Sequence, residues 1–239
     1  MSLQDQRVVL LGGTSGIGLA TAQLAAGQGA TVIVASSNPD SVKRALEALP
    51  DTASGEAVDL TDAAAVTAFF GSLDPFDHLV FTAGEPLTLL EVGSMDLARA
   101  RQAFQLRYFG ALGAVSAAAS KIRPGGSVVL TTGAAGDRPS PGWSVAASIC
   151  GAMDSLVRAL AVELAPLRIN AVKPGVVRSP LWSDLSVEDQ QTLYDQTSRL
   201  LPVGRVGEVT DLAEAYVYLM NQSYATGTIV TVDGGHVLV

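Results

Sequence analysis

Residues 7–23 read RVVLLGGTSGIGLATAQ. The apolar run Arg7 to Leu11 leads straight into Gly12, Gly13, Thr14, Ser15, Gly16, Ile17 and Gly18, and an Ala-rich helical pattern follows without a gap. A strand that turns through glycines directly into a helix leaves unpaired backbone N–H groups at the helix N-terminus. Glycines make the turn tight and let a phosphate approach those groups. The same turn also serves as a plain strand–helix connection, so the loop by itself leaves both readings open.

Working outward, six further runs of strand character follow: ATVIVA (30–35), GEAVDL (55–60), HLVFTA (78–83), GSVVLTT (126–132), RINAV (168–172) and TIVTV (228–232). Helical stretches such as GLATAQLAAGQG and DAAAVTAFFGSL lie between them. This alternation predicts an α/β fold whose parallel sheet is covered on both faces. Seven strands in this order predict a doubly wound sheet. No linker, repeat or low-complexity tract interrupts the pattern, so residues 1–239 read as a single domain. From about 179 to 205 the pattern loosens into a polar segment (SPLWSDLSVEDQQTLYDQTSRLLPVGR), which is expected to form a lid over a site.

Composition narrows the classes. The chain is 48% hydrophobic and 16% charged, ample for one core in 239 residues. A net charge of -8, with only Lys43, Lys121 and Lys173 as lysines, disfavours nucleic acid and anionic membranes as partners. A lone cysteine, Cys150, excludes an intrachain disulfide, and no Cys/His cluster points to a metal. The chain opens without a signal-type segment, and VVLLGG is too short to span a bilayer. A cytoplasmic protein is expected.

Several motifs recur in a specific order: Gly12-x-x-x-Gly16-x-Gly18, Asp59 in VDLTD, Ala83-Gly84 in FTAG, Asn170 ahead of Pro174-Gly175 in INAVKPG, and VDGG at 232–235. Together they resemble the short-chain dehydrogenase/reductase family over essentially the whole chain. The resemblance implies a Rossmann fold, NAD or NADP as cofactor, a small carbonyl or alcohol substrate, and a homodimer or homotetramer. It implies cofactor-binding roles for Gly12, Thr14, Ser15, Gly16, Ile17, Gly18, Ser36, Ser37, Asp59, Leu60, Ala83, Gly84, Pro174, Gly175 and Val177. Asp59 would lie at the adenine ring and Pro174-Gly175 at the nicotinamide amide. The second strand ends in Ala35-Ser36-Ser37-Asn38, with neither the acid that reads the ribose of NAD nor a base for the phosphate of NADP. Lys43 and Arg44 either reach such a phosphate or form a solvated helix face.

The family's catalytic set is a Ser, a Tyr, a Lys four residues later, and an Asn on an earlier helix. Registered on LVRALAVELAP (156–166), the Lys position falls on Cys150, the Tyr position on Ala146, the Ser position on Gly133 and the Asn position on Arg107. No Tyr-x-x-x-Lys occurs anywhere in the chain, so a slipped register cannot restore the pair. The chain therefore reads as a divergent member. Arg107 is the first candidate replacement, a permanent cation suited to a carboxylate or a developing oxyanion, the alternative being a surface or interface ion pair. Thr132 is the hydroxyl nearest the lost Ser and a candidate proton carrier.

Other groups carry competing readings. Lys173 either aims into the site or lies on the opposite side. Asp137 and Arg138 line the rim or pair with each other. Trp143 stacks on substrate or packs at a helix start. Tyr108 is expected to point away from Arg107. Tyr194, in the lid, either makes a surface contact, the favoured reading, or enters the site on closure, and Tyr216, Tyr218 and Tyr224 are expected in packing. His78 and His236 read as structural, which leaves Cys150 no partner as a nucleophile. Apolar residues Val145, Ile149, Met153, Leu156, Val157 and Leu160 exceed what one helix face needs, so the helices near 100–120 and 144–165 are expected to pair between subunits. Three functions remain: an oxidoreductase with a substituted proton relay, a non-redox enzyme (isomerase, dehydratase or cyclase), or a nucleotide-binding protein without turnover.

Overall fold

The computed structural model describes residues 2–87 and 89–239; Met1 and Thr88, which the expected domain 1–239 includes, lie outside the described residues. The chain runs β1 (Arg7–Leu11), α1 (Gly16–Gly27), β2 (Thr31–Ser36), α2 (Pro39–Glu47), β3 (Ser54–Ala57), α3 (Ala63–Ser72), β4 (Phe76–Phe81), α4 (Leu97–Phe104) and α5 (Ala111–Ala118). It continues through β5 (Ile122–Thr131), α6 (Ser144–Glu163), β6 (Arg168–Pro174), β7 (Val177–Arg178), α7 (Val187–Leu200), β8 (Gly207–Glu208), α8 (Val209–Asn221) and β9 (Ile229–Val232). The main sheet has seven parallel strands in the order β3-β2-β1-β4-β5-β6-β9, the doubly wound arrangement that the alternation predicts.

Strand periodicity explains why both faces are apolar. Along β1, Val9 and Leu11 join Leu79, Phe81, Val128 and Leu130 beneath α3, α5 and α6. Val8 and Leu10 join Val32, Val34, Val129 and Val172 beneath α1 and α8. Successive side chains on a strand point to opposite faces, so an uninterrupted apolar run fits only a sheet buried on both sides. Helix starts are fixed by side-chain caps: Asn38 on α2, Asp62 on α3, Asp96 on α4 and Ser186 on α7 each accept backbone N–H bonds.

Three elements differ from the sequence reading. The edge strand β3 stops at Ala57, two residues short of Asp59, because the chain must leave the sheet there for Asp62 to cap α3. A second small sheet, β7 paired parallel with β8, flanks the segment read as a lid, one strand just before it and one just beyond. The helix near 100–120 is interrupted by a π turn over Gln105–Gly110, which joins α4 to α5.

Candidate active site

The C-terminal ends of β1, β2, β4, β5 and β6 open onto one cavity of about 930 Å³. Strand order reverses between β1 and β4, and in such sheets ligands bind in the crevice at that reversal. Every residue assigned above to cofactor binding lines this cavity, from Gly12 and Thr14 to Gly175 and Val177.

The glycine loop is held by contacts that only glycine permits. Gly12 has φ +84°, and a Cβ there would lie 2.5 Å from the Ala83 nitrogen. A Cβ on Gly18 would lie 2.1 Å from the Gly12 carbonyl oxygen and 2.5 Å from Thr82 Oγ1. The Thr82 hydroxyl lies 3.3 Å and 3.2 Å from the carbonyls of Leu11 and Gly12, pinning the loop to β4. Sequence reasoning passed over Thr82, although it precedes Ala83-Gly84. The first turn of α1 carries no acidic side chain, so its N-terminus is free to face an anion. These features fit a dinucleotide pyrophosphate.

Asp59 lies beyond β3, where its carboxylate accepts from the Thr61 amide (2.9 Å) and hydroxyl (2.7 Å). Those bonds hold its pKa below the usual carboxylate value, so the wall is anionic there at neutral pH. At the end of β2, Ser36 and Ser37 line the cavity. Asn38 is taken up in capping α2, accepting from the Asp40 and Ser41 amides. Arg44 bonds Ser41, as a solvated helix face would.

Positions 107, 133, 146 and 150, which the family register assigns to the catalytic set, all line the same cavity. A Cβ on Gly133 would lie 3.0 Å from Cys150 Sγ, so these two positions meet although far apart in sequence. Arg107 projects from the π turn, a helix irregularity that recurs at functional sites. Its guanidinium lies over Gly84, where a Cβ would come within 2.8 Å of Nη1. Nη2 donates to the Glu85 carbonyl, and among the described residues no carboxylate makes a salt bridge with Arg107. Burial lowers its pKa, while Cys150 and Glu85 act in the opposite direction. Burial in turn raises the Cys150 thiol, Arg107 opposing it, so the sulfur is protonated and unreactive at neutral pH.

Lys173 is buried behind the cavity, where Nζ donates to Asp154 Oδ2 at 2.8 Å and Asp137 Oδ2 at 2.5 Å. Asp137 thus pairs with Lys173 and not with Arg138. Thr132 lines the cavity, with its Oγ1 2.7 Å from Asp154 Oδ1 and 3.0 Å from the Cys150 carbonyl.

Aromatic residues fall out differently from expectation. Tyr194 is buried, 5% exposed, against Trp182, Val176 and Val206, with Arg178 4.3 Å above its ring. It is not at the surface, because one apolar face of α7 closes onto the turn Pro180–Trp182. Tyr216 is buried and bonds Thr131, whereas Tyr218 and Tyr224 are exposed and not packed. Tyr108 packs against the core, away from the cavity. Trp143 packs near Trp182 at the start of α6, and it also lines the cavity. His78 is structural, between Ser127 and Gln6, whereas His236 lines the cavity. Arg99 and Gln102 were missed, although with Leu106 they recur at helical spacing along α4 and the π turn, and all three line the cavity.

The fold and crevice define a Rossmann-type α/β protein whose glycine loop fits a dinucleotide. The sequence pattern of the SDR-like Rossmann domain matches residues 2–239, and the chain belongs to the short-chain dehydrogenase/reductase family. It is 34% identical to the short-chain dehydrogenase/reductase ATR9 of Stachybotrys chlorohalonatus, over 98% of each chain. Among solved structures it is similar to a small-chain dehydrogenase in complex with NADPH (33% identity, TM-score 0.89, 99% of this chain and 100% of that one). It is also similar to the MalC reductase/Diels-Alderase of Malbranchea aurantiaca (30% identity, TM-score 0.92, 99% and 98%).

Proposed function

We propose that this protein is an NAD(P)-dependent oxidoreductase of a small carbonyl or alcohol substrate, with Arg107 in place of the family's catalytic hydroxyls and amine. The observation that carries the reading is a half-buried guanidinium, without a carboxylate partner among the described residues, in the wall of the cavity onto which the glycine loop opens. A cation desolvated without a counter-ion is costly, and an anionic or polarised oxygen entering the cavity relieves that cost. The glycine loop, the end of β2, Asp59 and Pro174-Gly175 would hold the nicotinamide cofactor. When bound it supplies or accepts a hydride. Arg107 stabilises the negative charge that develops on the substrate oxygen, and Thr132 carries the proton, since arginine is a poor proton donor. The absence of an acid at the end of β2, and the likeness to an NADPH complex, favour NADP over NAD.

Ala146, Ile149, Val145, Trp143, Leu181 and Trp182 form the apolar part of the cavity, suited to a hydrophobic substrate body. Residues 179–184 border that part and are the portion of the segment 179–205 proposed to act as a lid. A non-redox reaction on the same scaffold is the second reading, favoured by the small, unreactive side chains at 133, 146 and 150 and by the likeness to MalC.

The test is Arg107→Met, assayed for NADPH oxidation across a panel of aromatic and alicyclic ketones. Activity should fall by about 10²-fold or more, the scale for one oxyanion donor, with unchanged thermal unfolding. Unaltered turnover would remove Arg107 from the chemistry.

A further inference from the structure

We propose that Asp154, anchored by Lys173, exchanges the substrate proton through Thr132 and connects it to solvent through Lys173 and Asp137. The inference rests on the oxidoreductase reading and names the group that acts behind Thr132. Four side chains from three separate segments form one line: Thr132 at the cavity, Asp154 on α6, Lys173 at the end of β6 and Asp137 after β5. The links are 2.7 Å from Thr132 Oγ1 to Asp154 Oδ1, 2.8 Å from Lys173 Nζ to Asp154 Oδ2, and 2.5 Å from Lys173 Nζ to Asp137 Oδ2. Side-chain exposure rises from 6% at Lys173 to 48% at Asp137, so the line ends at water.

The Thr132 hydroxyl has one hydrogen and two acceptors in reach, Asp154 and the Cys150 carbonyl. The shorter bond goes to the carboxylate, and charge assistance favours it. A Thr132 that donates to Asp154 keeps its oxygen lone pairs for a donor in the cavity, so it meets an alcohol as an acceptor. In oxidation the substrate O–H proton moves to Thr132 Oγ1 while the threonine's own proton moves to Asp154 Oδ1. A bound oxidised nicotinamide would take the C–H electron pair as hydride, which leaves the C–O bond as C=O. Asp154 then returns its proton to Lys173 as Lys173 gives one to Asp137, which releases it to water; reduction runs the same steps backwards.

Lys173 suits the anchoring role. Burial works against its ammonium, but the bonds to Asp137 and Asp154 outweigh that and hold its pKa above the ordinary lysine value. The charged and titratable groups around Asp154 are Lys173 on β6, Asp137 in the turn after β5 and Cys150 one turn earlier on α6, with Arg107 facing Cys150.

The test uses the full chain with NADP+ and benzyl alcohol as the probe. Thr132→Val and Asp154→Asn should each lower kcat for oxidation by about 10²-fold or more, with NADP+ affinity by calorimetry within about twofold in both and KM within about twofold in Asp154→Asn. Thr132→Ser should restore the rate. A readout without turnover is the calorimetric affinity of the NADPH complex, which cannot take a hydride, for benzyl alcohol against its methyl ether. An acceptor at Thr132 predicts about tenfold tighter binding of the alcohol, erased by Thr132→Val. Cofactor binding with no alcohol preference, or with a Thr132→Val rate like the wild type, would overturn the proton route alone. A wild type that binds no nicotinamide would overturn the oxidoreductase reading and this inference with it. If Asp154→Asn fails to fold, Thr132→Val decides, because it leaves the Lys173 pairs intact.

Discussion

Gly18 shows how much one residue decides. Its missing Cβ leaves room for the Gly12 carbonyl and the Thr82 hydroxyl, which together shape the loop. Gly18→Ala should therefore cost about 1–3 kcal/mol of stability, the range for overpacking, and should weaken dinucleotide binding more than substrate binding. Urea denaturation and calorimetric titration check this; an alanine variant with wild-type stability and cofactor affinity would refute it. Gly84 plays the matching part for Arg107, whose guanidinium occupies the place of a side chain there. These glycines were legible because their spacing is a local property of the chain. What Arg107 faces was legible only through the resemblance, since the π turn and Gly84 come together by tertiary packing. The Lys173 pairs escaped the sequence for the same reason, as Asp137 and Asp154 are brought to it from separate segments.

Among elements, the apolar strands were legible and their ends were not. The runs at β1 and β2 match the paired strands within a residue, because an alternating core on both faces demands them. β3 is shorter than its sequence run because it is an edge strand, bonded on one side to β2 only, and capping of α3 competes for its last residues. β4 makes a further prediction through His78. Burial, with Arg168 adding to it and Asp77 opposing, lowers the His78 pKa to about 4. The unfolded chain takes up the proton near 6.5, its ordinary value, so the folded state loses stability as pH falls from there towards 4. The stabilisation present above that window is at most about 3 kcal/mol. Urea midpoints of His78→Gln should fall less than those of the wild type between these two pH values; parallel profiles would show that His78 does not drive the change.

At the scale of the molecule, α6 is long and apolar enough to cross a membrane by length and composition. Its inner face, Met153, Leu156, Val157 and Leu160, instead completes the core, and Asp154 on it is ion-paired. Its outer face retains Val162 at 81% exposure, and the neighbouring helix run leaves Leu97 at 60% and Phe109 at 53%. Exposed apolar groups on both helices are the basis for expecting subunit pairing there. Light scattering should give a dimer or tetramer at micromolar concentration, and Phe109→Glu should shift it towards monomer; a monomeric wild type would contradict this.

In the proposed function a nicotinamide cofactor is held by the glycine loop, in a cavity lined by Cys150 at the position that the family resemblance gives to lysine. Loss of that charged hydrogen bond should leave affinity weaker by about 1.5–3 kcal/mol than a lysine would give. Calorimetric titration with NADPH, NADP+, NADH and NAD+ measures it directly. Saturable binding below millimolar ligand is expected, with the phosphorylated forms preferred. No heat from any of the four at millimolar concentration would contradict it.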